Sequence, residues 1–242
     1  MSSVKPILFN TEMVRSILDG RKTCTRRKIP VDIVDFCDID RDGELLVYEN
    51  SYGDFIAPER LCRYQPGDIL YVRETWKKAP NGYYYYEDWQ RNDIADITKW
   101  KPSIHMPKEA ARIWLKVTSV RIERLQEITE DEAKKEGMPD SLDYPIDKAY
   151  CPVCNGVGLL DSHDHDTLGY VETDCENCDT YIKRFKNLWD TTINKKNFDL
   201  YGWDADPYVW VIDFERWCYL PQKANAFCDP DNVVKQLDHL CR

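Results

Sequence analysis

Gly20-Arg21-Lys22-Thr23-Cys24-Thr25-Arg26-Arg27-Lys28 is a basic run inside an acidic chain. Five of its nine residues are Lys or Arg, whereas the whole 242-residue chain carries a formal net charge of −10. Residues 1–28 hold seven Lys/Arg against two Asp/Glu, and residues 151–179 hold seven Asp/Glu with no Lys or Arg. The acidity is therefore regional. Such a run is either a solvated turn or a site for an anion or nucleotide. The overall balance argues against a duplex-DNA binder, which needs a basic face.

Upstream, Lys5 to Asn10 reads as a short strand, and Asn10 or Thr11 can cap the helix that follows. Met13, Val14, Ile17 and Leu18 give that helix one apolar face, and Gly20 stops it. The basic run then continues as an extended or turned segment. In a regular strand Lys22 and Thr25 face opposite sides, so they converge only across a turn or bulge. Downstream, residues 30–64 are acidic and irregular, with a hairpin expected around Asp42-Gly43 and Leu45–Tyr48 as its second strand. Ile69–Glu74 reads as a buried strand, Gly82–Tyr86 as another, and Ala111–Leu125 as the longest. Residues 88–103, with Trp89 and Trp100, read as a surface excursion.

Thr129-Glu130-Asp131-Glu132 is a capping-box signature, opening a short helix that ends at Glu136-Gly137. Residues 138–150 read as a linker. Tyr181 to about Asn194 is an amphipathic helix with Ile182, Phe185, Leu188 and Trp189 inward, and Tyr208–Phe214 is a last buried strand. Strands do not alternate regularly with helices, which excludes a doubly wound parallel sheet. The expected class is α+β: a small mixed β-barrel with packed helices and an inserted zinc-binding module. In domain terms, 1–217 is one interrupted barrel domain, 148–180 the insert, and 218–242 a tail of no evident role.

The insert is read from its cysteines. Cys151/Cys154 and Cys175/Cys178 are two C-x-x-C pairs separated by twenty residues. Each pair offers two thiolates from a tight turn, and four close a tetrahedral Zn²⁺ shell. A pair of redox or unliganded motifs is the bland alternative. His163 and His165 lie between the pairs as substitute ligands. A closed four-cysteine shell leaves no open position for substrate, so one structural zinc and no organic cofactor are expected. Cys24, Cys37, Cys62, Cys218, Cys228 and Cys241 lack paired spacing and read as reduced thiols. Hydrophobic residues at 43% indicate a globular chain, not a disordered one. No stretch approaches the ~20 apolar residues of a membrane span, and the N-terminus lacks the apolar core of a signal peptide. A cytoplasmic location with no membrane partner is expected.

P-loop, GxGxxG, GxSxG and HExxH motifs are absent. Histidine chemistry would rest on His105, held between Pro102 and Pro107. The remaining option is Lys plus Thr plus a carboxylate. A Thr hydroxyl needs a base to take its proton, and a Lys can serve if burial or neighbouring cations lower its pKa. Glu136 falls in the last turn of its helix, where a carboxylate opposes the helix dipole, a cost that hints at another role.

The string Gly20-Arg21-Lys22-Thr23-Cys24-Thr25-Arg26 resembles the signature of the ASCH domain, a β-barrel family in the PUA-like superfamily. Gly67-Asp68-Ile69-Leu70, the strand 112–124, Ile128-Thr129-Glu130 through Glu136-Gly137-Met138, and Val209 to Phe214 continue the pattern. The whole is similar to phage and prophage ASCH proteins with a cysteine insert. The resemblance covers roughly residues 5–137 and 180–216. It implies RNA binding, RNA cleavage, or the amidohydrolase activity of a small bacterial branch that removes acetyl from N4-acetylcytidine. Lys22, Thr25 and Glu136 match that branch's catalytic positions. The implied mechanism is acyl transfer, with Lys22 taking the Thr25 proton and Glu136 orienting Lys22 or protonating the leaving amine. Arg26, or a backbone N–H of the turn, would hold the oxyanion, and Tyr71, Trp76 or His105 would stack on the base. Glu74, on the same strand as Tyr71, joins them as a substrate-binding residue. The implied partner is a nucleoside-type small molecule or single-stranded or modified RNA, with an RNA-binding or RNA-cleaving module as the alternative function.

Overall fold

The computed structural model describes residues 3–30, 37–39, 45–48, 55–56, 58–90, 99–140, 151–154, 159–164 and 169–218. Val4–Leu8 forms β1 and Thr11–Leu18 forms α1, whose first turn is capped by Asn10 Oδ1 accepting from the Met13 N–H at 2.9 Å. Gly20, at φ +77°, turns the chain out of α1 and into β2, Cys24–Lys28. Cys37–Ile39 (β3), Leu45–Tyr48 (β4) and Phe55–Ile56 (β5) make a small antiparallel sheet. The pairing of β3 with β4 bears out the hairpin, whose turn at Asp42-Gly43 lies outside the described residues.

Ile69–Arg73 is β6. Trp76–Ala79 (β7) and Gly82–Tyr85 (β8) form a hairpin that runs into α2, Tyr86–Gln90. Trp114–Arg124 is β9 and Glu130–Lys135 is α3. Leu159–Asp164 (β10) and Gly169–Asp174 (β11) form a hairpin between the two cysteine pairs. Tyr181–Thr192 is α4, Phe198–Tyr201 is α5, and Tyr208–Arg216 is β12. Residues 219–242, and with them most of the tail, lie outside the described residues. None of the described helices is long and apolar enough to cross a membrane.

The main sheet has the order β1-β6-β9-β12-β2; β1 and β6 run parallel and every other neighbour antiparallel. β12 is buried on both faces, which is why it reads as an apolar run without alternation. Its Trp210, Ile212 and Phe214 pack with Ile7, Phe9, Val14, Ile17, Leu70 and Leu115. Its Val209 and Val211 pack on the other side with Leu125, Ala133, Phe185, Leu188 and Trp189. Each such side chain, fully buried, contributes about 1.5–3 kcal/mol. The ladder of β12 with β9 is irregular between Asp213 and Phe214.

The α+β class stands, but the five strands form an open sheet. Among the described residues no ladder joins the edge strands β1 and β2. Pro6 lies in β1 and brings no N–H, a residue suited to an edge strand. What spans the gap is a side chain: Arg27 Nη2 donates to the Leu8 carbonyl at 2.8 Å.

Candidate functional site

The basic run passes across the end of α3 before entering β2. The Lys22 N–H donates to the Ser16 carbonyl at 3.0 Å and the Thr23 N–H to the Lys135 carbonyl at 2.8 Å. Lys22 therefore precedes the strand, and the opposite-face geometry of a regular strand does not apply to it. α3 begins with the expected capping box between Thr129 and Glu132. It ends with Gly137 at φ +97°, the Gly137 N–H on the Lys134 carbonyl and the Met138 N–H on the Ala133 carbonyl. These are the two bonds of a Schellman termination. A Cβ at Gly137 would stand 2.6 Å from Ser16 Cβ and 3.0 Å from Lys22 Cβ, so only glycine lets the two segments approach. Arg21 also donates to the Gly137 carbonyl.

That approach joins Lys22 to Glu136. Lys22 Nζ donates to Glu136 Oε2 at 2.6 Å and to the Glu136 carbonyl at 2.9 Å. Both side chains are buried, at 0% and 2% exposure. The carboxylate placed against the helix dipole is thus held by a cation. Arg26 stands behind it, with Nη1 3.4 Å from Glu136 Oε1, while Nη2 pairs with Glu123 on β9 at 2.8 Å and Glu132 on α3 at 3.1 Å. Arg121 continues the network to Glu123, Glu132 and Asp213. Arg26 is consequently committed to three carboxylates; of its nitrogens, only buried Nε has no partner.

Thr25 is also buried. It pairs with Ile212 across the ladder and so faces the cluster around Phe9, Val14 and Ile17. Lys22 reaches the same cluster, with Nζ 5.7 Å from the Phe9 ring centroid. Lys22 and Glu136 are therefore paired beside Phe9's cluster, which Thr25 faces from β2, and among the described residues no hydrogen bond links Thr25 to Lys22 or Glu136. Cys24 faces the other way. Burial pushes its thiol well up, with Glu136 adding to the shift, so it is not a ready thiolate.

The other expected site residues sit elsewhere. Tyr71 is buried against Trp114, ring centroids 5.9 Å apart. Glu74 is held by two bonds from Arg112, which also pairs with Asp88. Trp76 packs with Met106, Ala110 and Tyr83. His105 is exposed in a short turn, Ser103–His105. Among the described residues no hydrogen bond, ion pair or ring contact joins these four to Lys22, Thr25 or Glu136. What sequence reasoning missed is a cleft of about 480 Å³ beside β1, lined by Pro6, Leu8, Arg27, Arg63, Tyr64, Arg73 and Ile104. The period-two spacing of Thr25 and Arg27 was a signal that they share a face; no local pattern pointed to Arg63 or Arg73.

The second centre is the cysteine cluster. Cys151, Cys154, Cys175 and Cys178 are all buried, with every sulfur within 4.8 Å of the others. Cys151 and Cys175 Sγ are 3.7 Å apart, Cys154 and Cys178 Sγ 3.6 Å. Four sulfurs bound tetrahedrally at about 2.3 Å stand roughly 3.8 Å apart, so the cluster could hold one metal ion. Burial pushes the Cys178 thiol up, and its sulfur neighbours add to this, so four thiolates here need a cation beside them. His163 lies on β10, and His165 lies outside the described residues; four thiols already make a complete ligand set. Comparison with protein-family models, curated proteins and solved structures returns no match.

Proposed function

We propose that this protein is an amidohydrolase that removes acyl groups from N4-acylated cytosine nucleosides, on a PUA-like ASCH fold with a structural zinc in the insert. The observation that carries the reading is the buried Lys22–Glu136 pair, with Lys22 beside Phe9 and Thr25 facing the cluster to which Phe9 belongs. Lys22 Nζ stands 2.6 Å from Glu136 Oε2. In the reaction Lys22 would pass a proton to Glu136, and its amine would take the proton of Thr25. Thr25 Oγ1 attacks the acyl carbon, the C–N4 bond breaks, and the proton passes to the departing amino nitrogen. Water hydrolyses the Thr25 ester and releases the carboxylate. All three side chains are buried, so a substrate would have to displace neighbouring side chains to reach them.

The cysteine spacing, burial and sulfur separations support zinc as the metal, since four thiolates in a tetrahedron suit it. Free thiols at Cys24, Cys62 and Cys218 support a reducing compartment such as the cytoplasm. A second reading, a module that binds RNA or a modified base without chemistry, draws on the burial of Thr25. The test is to mix purified protein with N4-acetylcytidine and follow cytidine release. Turnover that is lost in Lys22→Ala, Thr25→Ala and Glu136→Ala supports the amidohydrolase. No turnover over hours, alongside salt-sensitive RNA binding, overturns it in favour of the second reading.

A further inference from the structure

Three guanidinium groups converge on the cleft where the main sheet stays open. Arg27 comes from β2, Arg73 from the end of β6, and Arg63 from the segment between β5 and β6. In a chain of net charge −10, none of the three pairs with a carboxylate among the described residues. Arg27 Nη2 and Arg73 Nη1 are spent on main-chain carbonyls, of Leu8 and Ile104. Arg73 Nε is buried with no acceptor. Burial holds Arg27 below the ordinary guanidinium value, a cost that an anion beside it would offset. Leu8 and Ile104 stand exposed at the rim, at 44% and 59%, and Tyr64 supplies an aromatic wall. The volume lies within the ~300–1,000 Å³ usual for small-molecule sites.

We infer that this cleft seats the phosphate group of a mononucleotide, which makes the substrate class a nucleotide and not a bare nucleoside. Guanidinium forks match phosphate oxygens in bidentate geometry, and the exposed aliphatic rim covers the sugar. The cleft and the buried centre have the Phe9 ring between them: Arg27 lies 5.2 Å from its centroid and Lys22 Nζ 5.7 Å. A phosphate on Arg27 therefore places the rest of the molecule beside the wall of the Lys22 centre. The cytosine identity rests on the amidohydrolase reading; the phosphate does not. Three cations and a cleft of this volume fit one phosphate better than the track of a single strand, which follows many.

The experiment measures equilibrium binding of cytidine 5′-monophosphate, cytidine and inorganic phosphate to the full chain. The monophosphate should bind at least ~10-fold more tightly than cytidine, with inorganic phosphate competing. Arg63→Gln should erase about 5-fold or more of that preference, while Arg63→Lys keeps part of it. Arg63 is exposed, so these variants should match the parent in thermal melting. Equal affinity for the monophosphate and cytidine, or an Arg63→Gln protein that keeps the full preference, overturns the inference. A cytidine oligonucleotide that binds far more tightly than the monophosphate, with a log–log salt slope steeper than about −3, overturns it in favour of an RNA strand. Cytidine release from N4-acetylcytidine is scored separately. Phosphate-dependent binding without turnover keeps the cleft and removes the amidohydrolase; turnover without phosphate preference does the reverse.

Discussion

The cysteine cluster and the Lys22 centre are both buried polar assemblies drawn from segments far apart in sequence, yet they solve burial differently. At the cysteines, four like groups meet, and four thiolates there require a cation beside them. At Lys22 the opposite charge comes from Glu136, with Arg26 behind it, and the helix end and the basic run deliver the two together. Once a metal ion is bound, the stability of the first centre would follow that ion. The second is complete within the chain, so it is sensitive to the loss of either partner and to anything that separates the two segments.

The largest effect should come from the first centre. If the cluster holds zinc, chelation or Cys175→Ser should remove a contribution of the order of 10 kcal/mol, as in small zinc sites. Near-UV circular dichroism should lose the Phe185 and Trp189 signal, because those rings pack in the same cluster as the cysteines. A chelated protein with unchanged near-UV spectrum and melting temperature breaks the comparison. Next, Lys22→Met leaves the Glu136 carboxylate buried with only Arg26 close by. About 3–5 kcal/mol of stability should be lost in urea unfolding, and Lys22→Met/Glu136→Leu should recover part of it. A loss under ~1 kcal/mol for the single variant would mean that the pair is solvated.

Gly137→Ala tests the approach of the segments. Its Cβ collides with Ser16 and the backbone is left-handed there, so about 1–3 kcal/mol should be lost. If the amidohydrolase reading holds, the rate should fall by more than the stability loss alone explains, because Lys22 is pushed from Glu136. The smallest effect is at the sheet's edge. Burial alone would raise the Asp68 carboxyl, but hydrogen bonds from Lys5, Ser3 and the Gln65 N–H outweigh it and bring it to about 2. A depressed carboxyl stabilises the fold above its unfolded pKa and loses that contribution as pH falls through its folded value. Lys5 is a quarter exposed, so roughly 1–2 kcal/mol should disappear between about pH 4 and pH 2. Asp68→Asn should flatten that part of the pH–stability curve.

What was legible in the sequence was local. Asn10, Gly20, the Thr129 capping box, Glu136-Gly137 and the two C-x-x-C pairs each act within a few residues, and each appears where its chemistry put it. The strand β7 was missed because Trp76-Lys77-Lys78-Ala79 has no clean alternation; its partner β8 supplies the register. The expected barrel is an open sheet among the described residues, and Pro6, which removes a donor from β1, gives the physical reason. The commitment of Arg26 to Glu123 and Glu132 depends on β9, β2 and α3 meeting, and no short-range pattern encodes that. The same holds for the placing of Glu74 with Arg112, and for the arginine cleft, whose three cations come from three separate segments.

The central claim is that Thr25 carries the acyl group. Wild-type protein quenched during turnover of N4-acetylcytidine and digested for mass spectrometry tests it most directly. The account predicts an acetyl group on the peptide bearing Thr25, absent from Thr25→Ala, whose cytidine release should be slower by about a thousandfold or more. An unmodified Thr25 peptide together with undiminished turnover in Thr25→Ala would contradict it.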